Sequence, residues 1–300
     1  MRFDIKALVQ SNIVAERPLR SARSESRDAV ELKQLKIDRP ELASAVDMQL
    51  ALIDTARRVQ SRVPLPWIQP NPEWLRTEHA AGRPLVRFSD IPLDWTDFRL
   101  LLRQTADILH RFDALDQADY EAALALGRDG NLELQVIGWY EATSAVNEGA
   151  PRIRTAEHAL ARFDQVLVLA LRPFISRCTG VLIQQVELSS WGRGYCPFCG
   201  WEPSFGVITP SAGRHLICGR CTAQWPFDPY ACPFCANGDR ATITSFTSRD
   251  GRYRVYGCDV CRRYLKVYDA RNAPRPVMIA VDDIATLLLD AAALQRGYVE

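Results

Sequence analysis

Eight of the nine cysteines in this 300-residue chain stand in four CxxC pairs, Cys196/Cys199, Cys218/Cys221, Cys232/Cys235 and Cys258/Cys261, all within 66 residues. A CxxC turn aims two sulfurs at one ion, and a second turn completes the tetrahedron that zinc or a rubredoxin-type iron prefers. All eight are therefore expected to ligate metal, two ions per chain, iron or zinc. Disulfides are the competing use of paired cysteines, but they belong to oxidising compartments and to small chains that need stapling. This chain is long enough for a sizeable core, and its opening, MRFDIKALVQSNI, is a mixed segment unlike a secretory signal. A cytoplasmic location, where thiols stay free for metal, is expected.

Gap lengths suggest which turns share an ion. Eighteen residues lie between Cys199 and Cys218 and 22 between Cys235 and Cys258, each enough for a β-hairpin, but only ten lie between Cys221 and Cys232. The turns at Cys196 to Cys199 and Cys232 to Cys235 both read CPFC, as a tandem duplication would leave them. Two sequential sites are the simplest arrangement. An interleaved cross-brace, joining first turn to third and second to fourth, stays open at this level.

Other chemistry is thinly represented. His79, His110, His158 and His215 are scattered and sit in no metalloprotease or triad context; solvated or capping roles are expected, with His215 close enough to the Cys218 turn to reach a sulfur or a nearby carbonyl. Cys178 has no evident base beside it and reads as a buried apolar thiol. There is no glycine-rich phosphate loop or dinucleotide fingerprint, and no carboxylate pair stands out as acid and base. Thioredoxin-type chemistry would place a CxxC at the start of a helix, whereas turn residues follow each pair here. No catalytic residue is nominated, and the chain is read as a protein other than an enzyme.

The elements that must position the cysteines divide the chain. Up to about residue 37 it is charged and mixed, with arginines and serines crowded from Arg17 to Arg27, a segment expected to stay mobile until it docks. Asp38 as cap and Pro40 in the first turn then predict a helix to about Arg62, with Leu42, Val46, Leu50 and Ile53 at helical spacing. Six prolines between Val63 and Asp94 predict an irregular stretch in which Trp67 and Trp74 plug onto the core. Asp94 opens a helix whose stripe is Phe98, Leu101, Leu102, Ala106 and Leu109. Further helices are expected at 118–126, 132–145 and 155–183, the last kinked or broken at Pro173. The apolar run Val166 to Leu171 is too short to cross a membrane, so no membrane insertion is expected.

Beyond about residue 185 the pattern changes. Strands are predicted at Phe205 to Ile208, Arg214 to Ile217, Ala241 to Thr247 and Tyr253 to Tyr256, with Asp250-Gly251 as a hairpin turn. A closing helix, Ile284 to Gln295, follows Asp282-Asp283. The fold class is thus α plus small β: an N-terminal all-α domain (1–184), two tandem rubredoxin-like or zinc-ribbon four-cysteine metal-binding subdomains (185–228 and 229–270), and a C-terminal helical segment (271–300).

Zinc ribbons often bind nucleic acid, so charge matters. The whole chain carries 37 basic and 36 acidic side chains. From 190 to 270 there are ten basic and six acidic residues, and two divalent tetrathiolates of about −2 each cancel that excess. Nucleic acid is not the expected partner.

With the cysteines in place, the chain resembles the FdhE family of formate dehydrogenase accessory proteins. The resemblance is carried by the four CxxC pairs, by CPFCG at Cys196 to Gly200 and CPFC at Cys232 to Cys235, and by Asp282-Asp283-Ile284-Ala285-Thr286-Leu287-Leu288-Leu289-Asp290 followed by Gly297-Tyr298. It covers about residues 185 to 300. It implies a cytoplasmic, non-catalytic maturation factor for respiratory formate dehydrogenase. Such a factor binds the molybdopterin-containing catalytic subunit before export and carries iron in a rubredoxin-like setting. It also implies one ion on Cys196, Cys199, Cys218 and Cys221 and the other on Cys232, Cys235, Cys258 and Cys261. On this reading the ions brace the aromatic loops Trp201 to Phe205 and Trp225 to Tyr230 as contact points, or those aromatics simply pack the two sites together. Rival readings are a redox protein using iron-tetrathiolate sites or CxxC thiols, and a nucleic-acid-binding zinc ribbon.

Overall fold

The computed structural model describes residues 25–68, 71–144 and 160–299. The expectation of a mobile N-terminus falls mostly on 1–24, and His158 on 145–159; both lie outside the described residues. Where the description starts, the sequence reading missed a helix, α1 (Arg27–Asp38), capped by the Ser26 side chain, which accepts from Ala29 N. Its apolar stripe is thin, with only Ala29 and Leu32 buried among charges, so packing on the helices Ala43–Gln60 and Ile279–Ala285 stabilises it more than its own periodicity does. Asp38 ends this helix instead of capping the next. A 3-10 turn, Pro40–Leu42, leads into α2 (Ala43–Gln60), and Leu42 and Val46 are buried with Leu50 and Ile53 packed beside them.

The proline-rich stretch holds a second unexpected helix, α3 (Pro72–Ala80), with Asn71 accepting from Glu73 N and Pro72 in the first turn. Proline there loses no helical hydrogen bond, which is why proline density misleads. Trp74 packs on the core, but Trp67 is 88% exposed and plugs nothing. Four helices follow: α4 (Trp95–Arg111), α5 (Gln117–Arg128), α6 (Leu132–Ser144) and α7 (Asp164–Leu182). Asp94 caps α4 by accepting from Asp97 N, and all five stripe residues of that helix are buried. Among the described residues α7 alone has the length and composition of a membrane span, and 61% of its apolar window is buried inside the fold. It runs unbroken through Pro173, which is itself buried.

Six strands form one sheet: β1 (Pro203–Ile208), β2 (Arg214–Cys218), β3 (Gln224–Phe227), β4 (Ile243–Thr247), β5 (Tyr253–Cys258) and β6 (Tyr264–Asp269), in the order β3-β2-β1-β6-β5-β4. Each ribbon of three strands is antiparallel. The ribbons join where β1 pairs with β6 in parallel, Phe205 opposite Lys266 and Ile208 opposite Asp269. β3 and β6 escaped the sequence reading because Pro226 interrupts one and five of the six residues of the other are buried, leaving no alternation to read.

One face of the sheet closes the main core with α4, α6 and α7. The other carries the C-terminal segment, which forms two short helices, α8 (Ile279–Ala285) and α9 (Leu287–Gln295), in place of one. Asp282 lies inside α8, fully buried. It accepts from Tyr253 Oη at 2.7 Å, Arg275 Nη2 at 2.6 Å and Met278 N at 2.7 Å. Lys266 Nζ, itself buried, reaches Asp283 and Asp290 at 2.7 Å each, and Tyr264 Oη donates to Asp290 at 2.8 Å. Burial works against the lysine's charge, but the two carboxylates outweigh it and raise its pKa. Tyr298 completes the clamp: its hydroxyl donates to Asp259 at 2.7 Å, and its ring lies where a side chain at Gly257 would be.

Removing one partner of a buried ion pair strands the other. Asp282→Ala is therefore expected to lower unfolding stability by about 3–5 kcal/mol, measured by urea denaturation, whereas a loss below about 1 kcal/mol would show that the C-terminal clamp contributes little.

Candidate metal centres

Each CxxC pair occupies the same backbone turn. The amide four residues after the first cysteine donates to that cysteine's carbonyl: Gly200 to Cys196 at 2.9 Å, Thr222 to Cys218 at 3.1 Å, Ala236 to Cys232 at 3.0 Å and Arg262 to Cys258 at 2.8 Å. Each first cysteine's amide in turn donates to the carbonyl five residues on, in Trp201, Ala223, Asn237 and Arg263. The residue after the second cysteine is left-handed in all four turns, φ 70° at Gly200, 61° at Thr222, 58° at Ala236 and 58° at Arg262. Only one is glycine, so three of the four knuckles carry a strained backbone and lack the sequence signal that would announce them.

The turns bring the sulfurs into two groups of four, Cys196, Cys199, Cys218 and Cys221 in one and Cys232, Cys235, Cys258 and Cys261 in the other, each set within 4.8 Å. This is the sequential grouping, not the interleaved one. Sulfur–sulfur distances are 3.5 Å for Cys196–Cys221, 3.4 Å for Cys199–Cys218, and 3.7 Å for both Cys232–Cys261 and Cys235–Cys258. A tetrahedron with metal–sulfur bonds of about 2.3 Å has edges of about 3.8 Å, and a disulfide would need about 2.05 Å. The donor sets therefore fit two ions, and a tetrathiolate suits zinc and iron alike. Burial raises the thiols of Cys196 and Cys221, so a buried set of thiolates needs a cation at its centre.

The two centres differ in their surroundings. All four sulfurs of the first belong to buried residues, whereas Cys235 and Cys261 of the second are half-exposed. The first sits at the seam with the helices. Arg220, between its second pair of cysteines, is fully buried with its guanidinium 4.0 Å from the Trp201 ring, 4.7 Å from Trp139 and 4.9 Å from Tyr140. It donates to Ser144 Oγ, Thr143 Oγ1 and the Cys199 carbonyl. Arg172 of α7 holds the same turn through the Gly219 and Arg220 carbonyls at 2.6 and 3.2 Å. The amides of Leu85 and Val86 donate to the carbonyls of Pro197 and Phe198 at 3.0 and 2.8 Å.

Around the second centre, Arg263 forms a two-pronged pair with Glu202 at 2.7 and 2.9 Å and lies over Phe234. Arg214 is buried, bonded to the Ala231 carbonyl at 3.0 Å. Gly194 abuts the Pro233 carbonyl so closely that any Cβ would overlap it, and Trp225 Nε1 donates to the Arg193 carbonyl at 2.9 Å. The two CPFC turns are thus packed together. Of the aromatic loops expected to make contacts, Phe205 is fully buried in the cluster beneath α8 and α9, Trp225 is fully buried in the main core, and Tyr230 is 53% exposed.

The remaining candidates lie apart from both groups. Cys178 is buried, donates to the Asp90 carbonyl, and is pushed up to about 12 by burial, with Asp90 adding to the rise; it is an inert thiol. Burial lowers the pKa of His215, and among the described residues no hydrogen bond joins it to a sulfur. Sequence reasoning missed Arg220, Arg172 and Arg263, whose positions flag nothing until the knuckles bring them against aromatic rings and carbonyls.

Three comparisons bear on this architecture. No family model matches the chain. Curated relatives named Protein FdhE homolog match over 142 residues, 46% of this chain and 47% of theirs, at 30% identity in Shewanella oneidensis and 35% in Shewanella baltica. Protein FdhE of Escherichia coli matches at 31% identity over 109 residues, 35% of each chain. The chain therefore aligns with about half the length, or less, of the curated relatives it matches. The crystal structure of the FdhE protein from Pseudomonas aeruginosa shares the fold at TM-score 0.57 and 22% identity, covering 91% of this chain and 92% of that one. Over part of its length the chain is thus similar to proteins named FdhE, and its fold is shared with the solved FdhE protein.

The unequal burial has a measurable consequence. A chelator is expected to withdraw metal in two phases, the faster from the second centre, and Cys232→Ser is expected to abolish the fast phase while Cys196→Ser removes the slow one; metal analysis with a colorimetric chelator follows both. Loss of both ions from Cys196→Ser alone would overturn the independence of the centres. Gly200→Ala, whose Cβ would stand 2.8 Å from the Ser144 carbonyl at φ 70°, is expected to destabilise the fold by at least about 1–2 kcal/mol.

Proposed function

We propose that this chain is an accessory protein in the maturation of respiratory formate dehydrogenase, acting on that enzyme's molybdopterin-containing catalytic subunit by binding it in the cytoplasm and catalysing no reaction itself. The observation that carries this reading is the pair of four-cysteine centres built into a sheet that is fused to a helical body, in a chain similar to proteins named FdhE. We further propose that Cys196, Cys199, Cys218 and Cys221 hold one ion, that Cys232, Cys235, Cys258 and Cys261 hold the other, and that the boundaries 184/185, 228/229 and 270/271 divide the chain.

In such a protein the ions serve as struts. A metal bound to four thiolates supplies folding free energy outright, and here it would fix the knuckles against each other and against α6 and α7. What remains for function is surface. The lack of a nominated acid, base or nucleophile suits a protein that works by holding another.

The nucleic-acid reading is weakened by where the basic residues lie. Arg214, Arg220 and Lys266 are buried, and Arg263 is committed to Glu202, so four of the ten cations between 190 and 270 are structural. The redox reading draws on the half-exposed Cys235 and Cys261, which are reachable by a thiol reagent. Absorbance separates it: ferric tetrathiolate is coloured and bleaches on reduction, and zinc is silent.

Co-expression with the catalytic subunit tests the main reading. A stoichiometric complex on size exclusion, lost in a double variant Cys196→Ser/Cys232→Ser, is the expected result. Failure of the wild-type chain to co-purify with that subunit would overturn it.

A further inference from the structure

Among the described residues the sheet has two free edges, and the chain treats them differently. At the β3 edge the strand is four residues long and carries Pro226, which cannot donate to a further strand. At the β4 edge the strand is Ile243-Thr244-Ser245-Phe246-Thr247, with no proline, glycine or charge. Folded proteins blunt exposed edges because a row of unpaired N–H and C=O groups templates pairing with other chains. Among the described residues nothing pairs with the outer side of β4.

The groups on that edge can be assigned from the ladder. Ser248 N donates to the Tyr253 carbonyl and Asp259 N to the Thr242 carbonyl, so the even-numbered residues of β4 bond to β5. In an antiparallel ladder the alternate residues point outward, which places the amides and carbonyls of Ile243, Ser245 and Thr247 on the open side. Ser245 and Thr247 are exposed.

The duplication shows what such an edge takes. The strand order β3-β2-β1 followed by β6-β5-β4 makes β4 the counterpart of β1, each being the first strand after a CPFC turn. The outward edge of β1 is filled by a parallel strand, β6. The same edge, one ribbon over, is open.

Charge defines the occupant. Arg240 precedes β4, Arg249 follows it and Arg296 lies over Phe246 at 3.9 Å. All three are exposed, and none forms an ion pair with a carboxylate among the described residues. From these observations we infer that β4 is a docking edge for an extended, acidic segment of a partner polypeptide, added as a seventh strand parallel to β4 by main-chain hydrogen bonds. The inference rests on the accessory reading, in which the partner is the catalytic subunit.

Hydrogen exchange on the purified complex, with full-length metal-loaded protein, reads the edge directly. Slowed exchange at Ile243, Ser245 and Thr247 on complex formation is expected. Ser245→Pro removes an amide that faces away from β5, so metal content and unfolding midpoint should hold while affinity for the catalytic subunit falls at least about tenfold. Arg240→Glu with Arg249→Glu, which leaves the edge amides intact, should weaken binding and flatten its salt dependence. Unchanged exchange at the three amides, or full affinity in Ser245→Pro, overturns the docking edge while leaving the accessory reading standing. Protection that appears in the isolated protein with rising concentration assigns the edge to a second copy and likewise overturns it. A wild-type chain that binds no catalytic subunit removes the accessory reading and this partner with it.

Discussion

Four thiolates gathered in a protein interior repel one another and lose their hydration, so they can be buried only around a cation and within a frame that other forces hold shut. In this chain the first group of four cysteines stands at the joint between helices and sheet, and the forces that join the two parts converge on it. Arg220 reaches out of the second knuckle into the Trp139, Tyr140 and Trp201 rings, Arg172 grips the same turn from α7, and the 85–86 segment bonds to the carbonyls of the first. The centre and the joint are one structure.

The duplicated half lacks this arrangement. The position between the paired cysteines that Arg220 fills in the first centre is filled in the second by Val260, which is 61% exposed. One ribbon is docked by its knuckle, and the other is held through its strands and its Glu202–Arg263 pair. The same contrast runs through the sheet, where the outer edge of β1 is covered by β6 and, among the described residues, that of β4 is open. Two ribbons of like layout thus differ in use, one with its centre sealed against the helices and the other with two half-exposed cysteines and an exposed outer strand.

The acidic C-terminal signature follows from the same geometry. Asp282, Asp290 and Tyr298 lie on the face of the sheet away from the main core and tie it to α8 and α9 through Tyr253, Lys266, Tyr264 and Asp259. A lysine in the middle of a strand is tolerable because two carboxylates meet it. These residues secure the strands that carry the second centre.

How legible this was depended on how local each cause is. The α4 stripe, the Asp94 cap and the pairing of CxxC turns were readable because helical period, side-chain capping and gap length act over a few residues. α1 and α3 were missed since one depends on burial against distant helices and the other hides a favourable first-turn proline inside a proline-rich run. Trp67, expected inside, is outside, because a large apolar side chain signals burial only where a partner surface exists. By itself the sequence determined which eight sulfurs meet and that they suit two ions, for chain connectivity holds each pair within reach of one centre. Only the tertiary structure decided that the ribbons fuse through a parallel β1–β6 pairing, that Arg220 is an internal strut rather than a surface charge, and that one centre is sealed while the other is half-open. Those outcomes depend on contacts between residues tens to hundreds of positions apart, where no local pattern carries the information.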